Sequence, residues 1–250
     1  MPIESENTPR RRGIYLLPNL FTLTALFAGF YAIIAAMKGH FEIAAIAVFI
    51  GMVMDTLDGR VARLTNTQTE FGAQLDSLSD MVSFGVAPAV ILYAWGLNTL
   101  GKAGWLITFV YAACVALRLA RFNVQHATSD KRYFVGLPCP PAAAVIASLI
   151  WSVDQYALNM TGIYVATAIL TVIVSLLMVS NIRYYSFKDV DLKNKVPFVV
   201  ILLIVLFFVL ISVDPALILL VSSLGFALSG LVMYAWRWQK NFFKKVTTRP

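Results

Sequence analysis

Eight stretches of this chain read as apolar spans of a bilayer, the fifth of them short and led by proline, and no other feature limits its fold as tightly. They are Leu16–Met37, Phe41–Arg60, Gly72–Trp95, Ala103–Arg121, Pro140–Asp154, Gly162–Ile182, Pro197–Val213 and Pro215–Trp236. A hydrocarbon core asks for roughly 17 to 25 such residues per helix. The composition agrees: 59% of the 250 residues are hydrophobic and only 13% charged, against about a quarter charged in a soluble domain. So little charge leaves too little polar surface to face water on all sides. The expectation is an all-α, polytopic helical membrane protein with about eight transmembrane helices. No linker or charged block divides it, and there is no fixed-period repeat or low-complexity tract, so residues 1–250 read as a single domain. Basic residues precede the first run, as in a signal peptide. That run is too long for a signal and lacks a clean cleavage site, so it reads as a retained span.

The distribution of charge sets the topology. Of the 20 Lys and Arg, all but Lys38 and Lys102 fall in segments on one side of the eight spans. Positive charge collects on the cytoplasmic side, which puts both termini there. The formal charge of +7 is thereby explained by topology and gives no reason to invoke nucleic acid. The longest loops, Phe122–Cys139 and Arg183–Val196, lie on the same side. Tyr133, Tyr184, Tyr185, Trp236 and Trp238 read as interfacial aromatics. The cysteines Cys114 and Cys139 are too few for a zinc site and form no C-x-x-C pair; they read as small buried residues. His40 and His126 fall in loops and need no role.

The polar chemistry is concentrated in Met54–Asp80. Asp55 and Asp58 are three apart at the end of the second span, and Asp76 and Asp80 four apart at the start of the third, so each pair shares a helix face. The loop between them is short, which makes the two helices antiparallel neighbours with both pairs at one depth. Four carboxylates brought together must either take up protons or hold cations. Oxygen ligands of this kind suit Mg²⁺ or Mn²⁺, with Ca²⁺ as another occupant. Two such ions about 4 Å apart form a clamp for phosphoryl displacement. Gly59, Ala62 and Gly72 leave room for a ligand against the backbone, and Arg63 can supply a bidentate contact to phosphate. The plainer alternative is that Asp55 and Asp58 cap helix ends or pair with Arg60 and Arg63.

Written as a pattern, Asp55, Asp58, Gly59, Ala62, Arg63, Gly72, Asp76 and Asp80 give D-x2-D-G-x2-A-R-x8-G-x3-D-x3-D. This resembles the signature of the CDP-alcohol phosphotransferase family at all eight positions. The resemblance implies transfer of a phosphatidyl or related phosphoryl group from a CDP-linked donor to an alcohol, with release of CMP. It implies that Asp55, Asp58 and Asp76 bind metal, and that Asp80 shares a metal and acts as general base. It also places Asp58, Gly59, Ala62, Arg63 and Gly72 around the CDP moiety, and implies a homodimer.

Four further stretches resemble the branch of that family whose acceptor is L-serine and whose donor is CDP-diacylglycerol: Leu16–Gly29, Ser83–Ala89, Ala116–Val124 and Tyr133–Ala142. In the first, Asn19 and Thr22 can hydrogen-bond the donor pyrophosphate or simply mark a helix start after Pro18. Arg118 and Arg121, followed by Asn123, can hold the carboxylate of an amino-acid acceptor or anchor a helix end at the membrane surface. The Pro-rich Gly136–Pro141 stretch reads as a turn. The expected setting is a prokaryotic cell membrane, among membrane lipids, with the site at the cytoplasmic face. Other acceptors fit the same signature: choline, inositol phosphate or glycerol phosphate, although a phosphorylated acceptor asks for more cationic groups. A cation-coupled transporter is a different class of reading, but transporter sites lie near the bilayer midplane, whereas these aspartates lie beside a loop.

Overall fold

The computed structural model describes residues 16–65, 67–125, 133–156, 161–185 and 198–247. His126 and several loop and terminal cations, among them Arg10, Lys131 and Lys193, lie outside the described residues. The described chain is helical but for one small ribbon. In order it runs α1 (Leu16–Met37), α2 (Phe41–Leu64), α3 (Glu70–Asp80), a π-helical turn (Met81–Val86), α4 (Ala87–Trp95), a 3-10 turn (Leu97–Leu100), α5 (Lys102–Gln125), β1 (Tyr133–Val135), α6 (Cys139–Gln155), α7 (Thr161–Val179), β2 (Arg183–Tyr185), α8 (Phe198–Val213) and α9 (Pro215–Thr247). Five helical stretches are long and apolar enough to cross a membrane: Leu17–Met37, Glu70–Trp95, Lys102–Val124, Gly162–Val179 and Pro215–Trp236. The other three apolar runs form shorter or more polar helices. α2 carries Asp55, Asp58, Arg60 and Arg63, α6 has 17 residues, and the apolar part of α8 is Val199–Val213.

α1 and α2 form a tight antiparallel hairpin because small residues line their contact. Ala28, Ala32, Ala35 and Ala36 are buried opposite Ala44, Ala45, Ala47 and Gly51. Where lipid is as apolar as any side chain, close approach of small residues drives helices together. The turn between them is a Schellman cap. Gly39 takes a left-handed φ of 78°, with Gly39 N donating to Ala36 O (3.0 Å) and His40 N to Ala35 O (3.0 Å), so the last carbonyls of α1 are satisfied.

The third expected span is not one regular helix. It breaks after Asp80 into a six-residue π turn and resumes as α4, with Pro88 in its first turn. The loops Phe122–Cys139 and Arg183–Val196 also differ from expectation, because part of each pairs with the other. β1 and β2 run antiparallel in the register Tyr133↔Tyr185, Phe134↔Tyr184 and Val135↔Arg183. Gly136 (φ 80°) then turns the chain into α6, its N–H bonded to Ile182 O at 2.7 Å. Tyr184 is not an interfacial aromatic. It is fully buried, its hydroxyl donates to Ala227 O of α9 at 3.1 Å, and its ring fills the space left by Gly230.

α8 stands apart from the rest. No described residue of it is buried, and it packs chiefly on α9. It has no Gly or Ala, the residues that membrane helix interfaces favour, and it presents branched and aromatic side chains all round.

Candidate metal and nucleotide site

The site lies where α1, α2 and α3 meet beside the α2–α3 loop. α2 runs four residues further than the apolar pattern suggested, to Leu64, so Asp55, Asp58, Gly59, Ala62 and Arg63 all sit on regular helix. α3 starts at Glu70, capped by Thr69, whose Oγ1 accepts from Gly72 N at 3.0 Å. An N-cap threonine satisfies one of the free N–H groups of the first turn. It also fixes where Asp76 and Asp80 emerge, one turn apart.

Three of the four aspartates converge. One carboxylate oxygen from each of Asp55, Asp76 and Asp80 lies within 4.8 Å of the other two. Asp76 Oδ1 is buried and has no hydrogen-bond partner among the described residues. Buried polar atoms are nearly always paired, and an unpartnered carboxylate oxygen beside two more carboxylates fits a hard divalent cation. This donor set could hold such an ion. Arg63 Nε bonds its own helix at Gly59 O (2.8 Å). Asp58 stands outside this trio. It is buried, and its Oδ2 accepts from Thr22 Oγ1 of α1 at 2.7 Å.

A cleft of about 370 Å³ opens from the carboxylates towards the loop. Every residue expected around the nucleotide lines it: Asn19 and Thr22 from α1, Asp58, Gly59, Ala62 and Arg63 from α2, and Gly72 from α3. Gly72 packs closely, since a Cβ there would stand 3.1 Å from Thr69 Oγ1 and 3.3 Å from Asn19 Oδ1, and those side chains would have to give way. Asn19 and Thr22 are inside α1, which begins at Leu16 with Pro18 in its first turn, so they face the cleft from regular helix. The wall formed by Thr67, Gln68, Thr69 and Phe122 was not singled out from sequence. Thr69 alone carried a readable signal there, as a capping residue ahead of a helix.

The acceptor-side residues are placed differently from the others. α5 continues to Gln125, so Arg118, Arg121 and Asn123 lie within the helix and do not follow it. Arg118 is buried, with Nη1 donating to Val135 O (3.1 Å) and Met178 O (3.4 Å). Arg121 donates to Val179 O (3.4 Å) and Asn181 Oδ1 (2.7 Å). Both arginines thus serve the last carbonyls of α7, groups that a helix terminus leaves unpaired. Asn123 turns the other way and donates to Ser77 Oγ on α3 at 3.0 Å. The three side chains do not converge on one point.

Comparison with known proteins agrees with this geometry. The family profile described as CDP-alcohol phosphatidyltransferase matches residues 15–174. A Helicobacter pylori (strain 26695) protein named CDP-diacylglycerol–serine O-phosphatidyltransferase is 35% identical over 235 residues, covering 93% of this chain and 96% of that protein. A protein of the same name from Methanocaldococcus jannaschii is 31% identical over 223 residues, 89% of this chain and 96% of its own. One from Bacillus subtilis (strain 168) is 34% identical over 178 residues, 71% of this chain and 94% of its own.

Proposed function

The chain belongs to the CDP-alcohol phosphatidyltransferase family, and we propose that within it the protein moves a phosphatidyl group from CDP-diacylglycerol to L-serine, giving phosphatidylserine and CMP. The acceptor rests on relatives bearing that activity in their names over nearly their whole length. The chemistry rests on one observation above the rest: three carboxylates converge, and one of them, Asp76, lines a cleft that all the residues expected to hold the nucleotide also line.

In this reading the CDP moiety lies in the cleft against Gly59, Ala62 and Gly72, with Asn19 and Arg63 donating to its phosphates and Thr22 lining the cleft while it holds Asp58. Asp55, Asp58, Asp76 and Asp80 are the residues that would hold Mg²⁺ or Mn²⁺, with Ca²⁺ as another occupant. Such ions supply positive charge against the pyrophosphate oxygens as the anhydride bond breaks. Asp80 takes the proton from the serine hydroxyl, and the freed oxygen attacks the phosphorus bearing diacylglycerol. The bond from that phosphorus to the CMP oxygen breaks, and CMP leaves with the electron pair. Arg118, Arg121 and Asn123 form the acceptor side. Arg121 is half-buried at the end of its bonds to α7 and offers the rest of its guanidinium for the serine carboxylate, while Arg118 holds the floor beneath it.

The same reading takes residues 1–250 as one membrane domain of eight spans with both termini and the site at the cytoplasmic face. It takes the protein as a homodimer in a prokaryotic membrane, where the lipid tails of the donor stay in the bilayer. The test is CMP release by the purified protein given CDP-diacylglycerol, Mn²⁺ or Mg²⁺, and each alcohol in turn. Serine alone should drive release, and Asp80→Asn should reduce it at least about a hundredfold while donor binding survives. Release that is equally fast with glycerol phosphate or inositol phosphate, or wild-type turnover by Asp80→Asn, would sink the assignment.

A further inference from the structure

Asp80 stands at the boundary between two helical geometries. It is the last residue of α3, and the π turn Met81–Val86 follows at once. A π turn inserts an extra residue into the helical ladder, and such turns are frequent at functional sites. Here three side-chain bonds surround the turn and flank Asp80. Ser79 Oγ donates to Thr22 O (3.1 Å) and Ser83 Oγ to Ala25 O (3.0 Å), both on α1; Tyr111 of α5 donates through its hydroxyl to Phe84 O (2.9 Å). All three donors are buried, Ser83 and Tyr111 fully.

The sequence explains why the third bond is needed. In a regular α-helix the Phe84 carbonyl would accept from the N–H of residue 88, but residue 88 is proline and has none. Tyr111 reaches across from α5 and supplies the donor. On the opposite side Gly29 lets α1 approach, since a Cβ there would lie 2.5 Å from Ser83 Oγ. The turn is therefore held from two helices at once.

We propose that Tyr111 is a positioning residue for the transfer step: its bond to the Phe84 carbonyl holds the π turn and so fixes the rotation of α3, with Asp76 and Asp80 on it, against Asp55 of α2. Each residue of an α-helix advances about 100°. A turn that relaxed to α geometry would swing Asp80 by a large part of that angle relative to α4. Tyr111 touches no substrate in this scheme. The inference rests on the reading that Asp80 acts in the transfer.

The experiment uses the full-length purified protein and the serine-dependent CMP assay. Losing one buried hydrogen bond that acts only through geometry should lower kcat about tenfold in Tyr111→Phe. KM for CDP-diacylglycerol and serine should stay within about twofold, while Mn²⁺ binding followed by electron paramagnetic resonance should weaken, because the turned α3 carries two of the three converging carboxylates. Adding Pro88→Ala returns an N–H that can reach the Phe84 carbonyl from within the helix. That double variant should regain melting temperature but not kcat, because the carbonyl is satisfied while the tie to α5 is still missing. Should Tyr111→Phe fail to fold, Ser83→Ala loosens the same turn from the α1 side and should show the same fall in kcat with KM held. Wild-type kcat in these variants, or recovery of kcat together with melting temperature in the double variant, overturns the proposal. Asp80→Asn run alongside separates the two ideas. If it is inactive while Tyr111→Phe turns over normally, only the role of Tyr111 fails; if it turns over normally, the reading of Asp80 fails.

Discussion

Buried hydroxyls follow two patterns in this molecule, and the difference separates the site from its scaffold. In α7, Thr171 bonds Thr167 O and Ser175 bonds Thr171 O, each reaching four residues back along its own helix. Ser152 of α6 also bonds the carbonyl four residues back. Around the aspartates the same residue types reach across to other helices. Ser79 and Ser83 donate to carbonyls of α1, and Thr22 of α1 donates to Asp58 of α2. A hydroxyl bonded within its own helix merely avoids an unpaired polar group in a dry interior. One bonded to a neighbouring helix also fixes the rotation and depth of one helix against the other. The first kind tolerates replacement, and the second sets the geometry on which catalysis depends.

The sharpest way to test that contrast is at the carboxylates. Asp55→Ala removes one of the three converging groups and leaves Asp76 and Asp80 facing each other. Serine-dependent CMP release should fall at least about a thousandfold, and removing divalent ions with a chelator should have the same effect on the wild type. Substantial activity in either case would mean that the carboxylate cluster is not the reacting centre.

The next effect in size belongs to the hydroxyls that cross between helices. Thr22→Val keeps the shape of the side chain and removes the donor to Asp58, a bond to a charged group in a buried setting. Such bonds contribute about 1.5–3 kcal/mol, so kcat/KM for the donor should fall by one to two orders of magnitude. Ser79→Ala should cost about tenfold on the same scale. The matched controls are Thr171→Val and Ser175→Ala in α7, which should leave turnover within about twofold. If the α7 variants lose as much activity as Ser79→Ala, the two patterns do not differ in function and the contrast fails.

Much of the site was legible before any coordinates, and the reason is local. Asp55, Asp58, Gly59, Ala62, Arg63, Gly72, Asp76 and Asp80 lie within one helix–loop–helix unit, so their spacing alone places them on facing surfaces. What could not be read depends on contacts distant in sequence. The pairing of Tyr133 with Tyr185 joins two loops through backbone hydrogen bonds, which leave little mark on residue type. The partners that Arg118 and Arg121 find, the carbonyls of Met178 and Val179, are about sixty residues away and carry no sequence signature. The π turn was hidden for a similar reason. Pro88 hinted at a break, but the compensating donor is Tyr111 on another helix. Asp58 shows the limit within the motif itself. Its spacing from Asp55 gave the helix face correctly, while its bond to Thr22 on α1 sets it apart from the other three.

The smallest expected effect lies at the opposite end of the bundle and shows a carboxylate in a purely structural role. Asp214 caps α9, its Oδ1 accepting from Leu217 N at 3.1 Å just ahead of Pro215, and its Oδ2 accepts from the Tyr156 hydroxyl at the end of α6. These donors, Tyr156 first, hold the Asp214 carboxyl below its ordinary value of 3.8. A group whose pKa is lower folded than unfolded adds stability that is fully present above the unfolded value and lost as pH falls through the folded one. The melting temperature of the wild type should therefore exceed that of Asp214→Asn above about pH 4, with the gap closing on further acidification. In Tyr156→Phe the main cause of the depression is gone, so the gap to the matching Asp214→Asn double variant should be smaller and should finish closing at a higher pH, its onset unchanged. Turnover at neutral pH should be unchanged in all three, measured by CMP release. A loss of activity comparable to that of Ser79→Ala would show that this end of α6 and α9 is coupled to the site. It would then belong with the hydroxyls that bridge helices and not with the scaffold.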